Sequence, residues 1–291
     1  MPELPEVETV RLGLQPVLEG HVITDARIRR RDLRLPFPPH FTERLKGRRV
    51  IALTRRAKYI LAALDSGETL VIHLGMSGRL SVYAEGRRQR LGDYVYNPAP
   101  NGAGEGKHDH AVFETDAPAR IVFNDHRRFG LMALVVTDRL EEDKLFRGIG
   151  IEPLSPAFTA RFLKKALAGK KTPIKSALLD QRVIAGLGNI YVCEALFLAG
   201  ISPKRWAGAM RADDAKRLTA AIKKVLTEAI RAGGSTLRDH AQATGDPGNF
   251  QHHFRVYGRE GQPCLGQKCR GMVKRIVQGG RSTFYCPACQ K

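Results

Sequence analysis

The chain has 291 residues, 43% of them hydrophobic, a length that suits two cores better than one. Its 48 Lys and Arg stand against 29 Asp and Glu, a formal charge of +19 that favours a polyanionic partner. No run approaches the roughly 18 apolar residues of a membrane span, and Met1-Pro2-Glu3-Leu4-Pro5-Glu6 lacks the basic start and apolar stretch of a signal peptide, so the expected partner is nucleic acid and the expected place the cytoplasm.

In chain order, the N-terminus carries two readings. Pro-Glu is an ordinary helix start, with Glu3, Glu6 and Glu8 suited to a first turn. Removal of Met1 before the small Pro2 would also expose a secondary amine. An α-amino group has a reference pKa of about 7.7–8.0. Such an amine can attack a carbonyl-like carbon and form an iminium, with nearby carboxylates moving protons.

From about residue 21 to 136 the chain reads as short strands: Val22–Ile28, Val50–Leu53, Tyr59–Leu64, Thr69–Leu74, Arg79–Tyr83, Ala111–Thr115, Arg120–Phe123 and Leu131–Val136. Turn residues such as Asp65-Ser66-Gly67 separate them, and this spacing predicts a sandwich or barrel. Residues 85–108, rich in Gly, Pro, Asn and Arg, read as a mobile surface loop.

Helices follow. Ser155-Pro156 reads as an N-cap and first helical residue, with Gly169 as the stop. Gly186-Leu187-Gly188-Asn189 leads into an apolar helix over 190–199, Asn189 serving as N-cap. Asp213–Ala232 has apolar residues at helical period, from Leu218 to Ile230, and ends at Gly233-Gly234. The polar, Gly-containing segment 235–257 is expected to be a mobile lid.

From Gly261 onward there are six Lys or Arg and no acidic residue. Cys264-x4-Cys269-x16-Cys286-x2-Cys289 has the arrangement of a zinc ribbon, a closed tetrahedral thiolate site for one structural Zn2+. Residues 273–277 and 282–285 would pair as a hairpin around Gln278-Gly279-Gly280-Arg281, too small to fold without the metal. Arg281 at its tip is a candidate phosphate contact.

Together these residues carry a resemblance. Met1 to Val10 resembles the N-terminus of the formamidopyrimidine-DNA glycosylase family, and the likeness runs along nearly the whole chain. Arg56-Ala57-Lys58-Tyr59 resembles the segment with the family's essential lysine. His73-Leu74-Gly75-Met76-Ser77-Gly78 resembles its intercalation loop, and Arg127-Arg128-Phe129-Gly130 the loop that replaces the extruded base. Gly188-Asn189-Ile190-Tyr191 resembles the turn of its helix–two-turns–helix motif, and Gly279 to Thr283 with the four cysteines its zinc finger. The first cysteine spacing, the length of the 85–107 loop and the connector Gly148 to Leu154 depart from the family pattern.

The resemblance implies an α+β, multidomain fold around a DNA cleft. A β-sandwich with a flanking helix would span 1–137, a linker 138–153, a helix–two-turns–helix domain 154–258 and a zinc finger 259–291. It implies base excision repair of oxidised purines (8-oxoguanine, formamidopyrimidines) in damaged double-stranded DNA, followed by β,δ-elimination through a Pro2 Schiff base. Pro2 would be the nucleophile, Glu3 the proton donor and Glu6 its support. Lys58 would hold a phosphate beside the lesion and assist elimination, and His73, Asn189 and Arg281 would grip neighbouring phosphates. Met76, Arg127 and Phe129 would fill the vacated gap, and Lys175 would lie near the lesion. The alternatives are an endonuclease VIII-like enzyme for oxidised pyrimidines, against which Leu4 speaks, and a non-catalytic zinc-ribbon DNA-binding protein. The implied enzyme is bacterial and cytoplasmic, on the nucleoid through its DNA, with no membrane partner, and a monomer suffices.

Overall fold

The computed structural model describes residues 2–91, 93–236 and 241–291. The chain splits into two compact units, Met1–Arg147 with Ala232–Asn249, and Gly148–Arg231 with Phe250–Lys291.

The first unit begins with helix α1 (Leu4–Leu18), followed by β1 (Ile23–Ile28), a short α2 (Phe41–Leu45), β2 (Val50–Arg56), β3 (Tyr59–Leu64), β4 (Glu68–His73) and β5 (Arg79–Ala84). Then come β6 (Gln89–Leu91), β7 (Tyr94–Tyr96), β8 (Asp109–Thr115), β9 (Ala119–Asn124) and β10 (Leu131–Val136). Two four-stranded sheets form, in orders β1-β8-β9-β5 and β10-β4-β3-β2. Every pairing within them is antiparallel. Ile60, Ala62, Leu70 and Ile72 of one sheet share a single core with Leu80, Val82, Phe113 and Phe123 of the other, the expected sandwich. Helix α1 adds Val7, Val10, Leu14 and Val17 to that core. Each such side chain, fully buried, contributes about 1.5–3 kcal/mol of transfer energy.

The eight strands expected from alternation form at nearly the expected bounds. The 85–108 segment is different. Within it β6 and β7 pair as a small hairpin, and Tyr96 is fully buried, its hydroxyl donating to the Gly13 carbonyl of α1 at 2.6 Å. The aromatic alternation Tyr94-Val95-Tyr96 was the signal for a strand there.

The second unit holds α3 (Ala160–Leu167), α4 (Ile174–Leu178), α5 (Asn189–Ala199) and α6 (Ala212–Arg231), then the hairpin β11 (Lys274–Gln278) and β12 (Arg281–Tyr285). The Ser155-Pro156 start is corrected. The Ser155 hydroxyl donates to the Glu152 carbonyl in a turn, and α3 begins four residues later, where Thr159 Oγ1 accepts from Phe162 N at 3.1 Å. The Thr159 hydroxyl, not that of Ser155, supplies the cap the backbone uses. Gly188, not Asn189, caps α5, and Asn189 is the first helical residue. Helix α5 buries residues on nearly all sides, and α6 buries Leu218, Ile222, Val225 and Leu226 along one face. Residues 237–240 of the expected lid lie outside the described residues. Among the described residues, no helix is long and apolar enough to cross a membrane.

Candidate active site and nucleic-acid interface

Pro2 is buried, immediately before α1. Glu3 occupies the N-cap, and its backbone N–H donates to Glu6 Oε2 at 2.9 Å, a reciprocal capping arrangement that satisfies a donor at the helix end. Glu6 Oε1 accepts from both the backbone N–H and the hydroxyl of Ser235, each at 2.9 Å. Glu3 and Glu6 are both buried. The helix is fixed along β2 by Arg55 Nε donating to Glu8 Oε2 at 2.9 Å and Arg11 Nη1 donating to the Leu53 carbonyl at 3.1 Å. Strand β2 then turns through Ala57, in the left-handed region at φ 53°, and Lys58 into β3. Lys58 is buried.

Tyr59 pairs with His73 across β3 and β4, their rings 4.8 Å apart. Burial, then the charges of Lys58 and Arg34, push the His73 imidazole down to about 4. Its Nδ1 accepts from Gly75 N at 3.0 Å, so the neutral ring carries its proton on Nε2, the donor that a phosphate oxygen requires. Beyond β4, Met76 is 39% exposed, and beyond β9, Phe129 is 43% exposed. Both are large apolar side chains left in solvent. The Arg127 guanidinium carbon lies 4.7 Å from the Phe129 ring centroid, a stacked pair. Arg128 between them takes φ 58°.

In the second unit, Lys175 is fully buried. Its Nζ donates to Thr283 Oγ1 at 2.7 Å and to the Ser282 carbonyl at 3.1 Å. Asn189 Nδ2 donates to the same carbonyl at 2.9 Å. Lys175 and Asn189 therefore converge on the strand that begins with Arg281, which is exposed at the hairpin turn.

The four cysteine sulfurs lie within 4.8 Å of one another. Cys264 and Cys289 Sγ are 3.6 Å apart, and Cys269 and Cys286 Sγ 3.8 Å apart. A tetrahedron with Zn–S of about 2.3 Å has edges of about 3.8 Å, so the donor set fits zinc in size, charge and number. Gly266 N and Gly271 N donate to Cys264 and Cys269 Sγ at 3.3 Å each. A Cβ on Gly271 would lie 2.7 Å from Ala288 Cβ. The four-residue first spacing is accommodated by these two glycines.

Asp125, Glu194 and Gln290 are buried groups that were not anticipated. Asp125 accepts hydrogen bonds from Ser77, Arg127 N and Gly130 N. An acidic residue heading a basic loop is the signal that marks it. Glu194 accepts from the N–H groups of Arg255, Val256 and Tyr257, each at 2.9 Å, while burial pushes its carboxyl up. Gln290 Nε2 donates to the Ile201 carbonyl at 2.8 Å. Gln290 thus ties the cysteine ribbon to the residues just after α5, Glu194 ties α5 to the segment leading into the ribbon, and neither carries a local sequence signal.

Three family models match the chain: the formamidopyrimidine-DNA glycosylase N-terminal domain over residues 1–132, its H2TH domain over 149–241, and the zinc finger found in FPG and IleRS over 261–291. A formamidopyrimidine-DNA glycosylase from Jannaschia sp. is 57% identical over 291 residues, covering 100% of each chain. The crystal structure of the Fpg protein from Thermus thermophilus aligns at TM-score 0.81 and 38% identity, covering 99% of this chain and 98% of that one. A Lactococcus lactis Fpg variant in complex with Fapy-dG containing DNA aligns at TM-score 0.84 and 31% identity, covering 100% of both. With all three domain models matched in order and full-length relatives above half identity, the chain belongs to the formamidopyrimidine-DNA glycosylase family.

Proposed function

We propose that this chain is a base-excision DNA glycosylase that removes oxidised purines, 8-oxoguanine and formamidopyrimidines, from duplex DNA and then cleaves the strand. One observation carries the reading: Pro2, Glu3 and Glu6 gather, all buried, at the N-terminus of α1.

With Met1 removed, the Pro2 nitrogen lone pair attacks the sugar C1′. The C1′–N bond breaks, its electron pair leaves with the base, and the base takes up a proton. Glu3 protonates the ring oxygen as the sugar opens, and the nitrogen loses its own proton to leave an iminium. Loss of a C2′ proton expels the 3′ phosphate, and a second elimination expels the 5′ phosphate. Water then hydrolyses the iminium and frees Pro2. Glu6, with its two oxygens engaged by Glu3 N and Ser235, supports this site.

Lys58 holds a phosphate beside the lesion and assists elimination. His73, Asn189 and Arg281 bind neighbouring phosphates, and Lys175 acts near them by holding the strand that starts at Arg281. Extruding a base costs a few kcal/mol. Met76, Arg127 and Phe129 offset part of this by filling the gap, an apolar wedge and a planar cation stacked on a ring. Zinc supplies no chemistry to the reaction. Held by Cys264, Cys269, Cys286 and Cys289, it folds the ribbon that presents Arg281.

The test is borohydride trapping. A duplex with one 8-oxoguanine opposite cytosine is mixed with the chain, Pro2→Gly serves as control, and an oxidised-pyrimidine duplex runs alongside. A covalent band mapped to Pro2 on the purine lesion is expected. A band with the pyrimidine lesion alone would move the chain to the endonuclease VIII-like reading. Tight DNA binding with no band would leave a DNA-binding protein without the activity.

A further inference from the structure

Asp125 is fully buried between the two loops assigned above to gap filling. Its Oδ1 accepts from the Ser77 hydroxyl at 2.6 Å and from Arg127 N at 3.3 Å, and its Oδ2 accepts from Gly130 N at 2.8 Å. Ser77 follows Met76, while Arg127 and Gly130 bracket Phe129. One carboxylate therefore holds both loops. Its own backbone is fixed in turn, the Asp125 N–H donating to the His108 carbonyl at 2.9 Å and its carbonyl accepting from His110 Nε2 at 2.8 Å. The loops also meet backbone to backbone. A Cβ on Gly75 would lie 2.3 Å from the Phe129 carbonyl carbon, and Gly75 takes φ 66°.

A buried carboxylate is a poor device for stability alone, because desolvation opposes it and a packed apolar residue joins two loops at less cost. What it supplies is geometry: three directional, charge-assisted hydrogen bonds that set two chain segments in one register. A wedge works only if its parts enter the duplex together. Two loops ordered separately at the moment of base extrusion would each lose conformational entropy there.

We infer that Asp125 is a positioning residue that locks Met76, Arg127 and Phe129 into one rigid wedge, so that opening of the duplex, rather than bond cleavage, depends on it. The inference rests on the glycosylase reading above.

Asp125→Asn keeps the shape but sets an NH2 group against N–H or O–H donors. Its kcat/KM on a duplex 8-oxoguanine substrate is expected to fall roughly 30-fold. Cleavage of a single-stranded abasic oligonucleotide, which requires no extrusion, is expected to change less than about 3-fold. A double-mutant cycle separates positioning from simple support. Met76→Ala, costing roughly 10-fold in the parent chain, is expected to cost under about 2-fold in the Asp125→Asn background. If Asp125→Asn does not fold, Ser77→Ala carries the test, since it removes one donor of three. It is expected to show the same split at roughly 5-fold on the duplex. Equal losses on both substrates, no loss on either, or an undiminished Met76→Ala penalty would overturn the inference. A parent chain inactive on both substrates would sink the glycosylase reading itself, and this inference with it.

Discussion

Glu6 and Ser235 stand 229 positions apart in the chain and meet through two hydrogen bonds of 2.9 Å, both accepted by Glu6 Oε1. The approach is close on the adjoining residue too. Gly234 takes φ 78°, and a Cβ there would lie 3.2 Å from Glu6 Cγ. The first turn of α1, which follows the proposed nucleophile Pro2, is thus tied to the root of the segment after α6.

Ser235→Ala removes the hydroxyl and leaves the backbone donor. The expected loss is about 1 kcal/mol of anchoring, read as roughly 5-fold slower base excision under single-turnover conditions. Cleavage at a preformed abasic site, where no base has to be held, should change far less. Equal slowing of both steps would show that Ser235 serves the Pro2 site as a whole and not this segment.

Lys175 is expected to act through the finger and not through a phosphate. Lys175→Ala strands Thr283 Oγ1 and removes one of the two donors to the Ser282 carbonyl, at about 1–3 kcal/mol of stability. The slope of log affinity against log salt should stay as it was. Arg281→Ala should instead flatten that slope by about one phosphate's worth. A flatter slope for Lys175→Ala would make it a direct contact.

His73 gives a pH dependence. Its imidazole is held at about 4 against an ordinary 6.5, so between these values the unfolded chain binds more protons. Stability from this group is therefore full above pH 6.5 and falls as pH drops towards 4, by about 3 kcal/mol across the window. Denaturant titrations from pH 7 to 4.5 should show the decline, and His73→Gln should flatten it. An unchanged slope in His73→Gln would assign the decline to other groups.

Zinc removal should act on DNA binding through folding. A chelator is expected to unfold the β11–β12 hairpin, since the metal contributes on the order of 10–16 kcal/mol in such sites, and to weaken DNA affinity. Gly271→Ala, with its Cβ 2.9 Å from Cys286 Sγ, should lower zinc content by crowding the ligand sulfurs without replacing any of them. Full affinity in the zinc-free chain would separate the finger from DNA binding.

Much was determined by the sequence itself. The strands from Ile23 to Val136, the span of α6, the Gly200 stop of α5 at φ 68° and the hairpin at Gln278–Arg281 follow from periodicity and turn chemistry, which act over a few residues. The cysteine spacing likewise marks a metal site before any fold is known, because thiolates two to four residues apart can share one ion. At Ser155, where the hydroxyl serves a turn and Thr159 caps the helix instead, and at Tyr94–Tyr96, where Gly and Pro masked a short hairpin, the local reading went astray.

Only the tertiary structure decided the partners. Asp125 meets Ser77 across 48 positions, Lys175 meets Thr283 across 108, and Glu6 meets Ser235 across 229. No pattern within one element specifies such pairs. A carboxylate or lysine has the same local propensity whether it faces water or a buried hydroxyl, and its partner is chosen only when the cores on either side of it have packed.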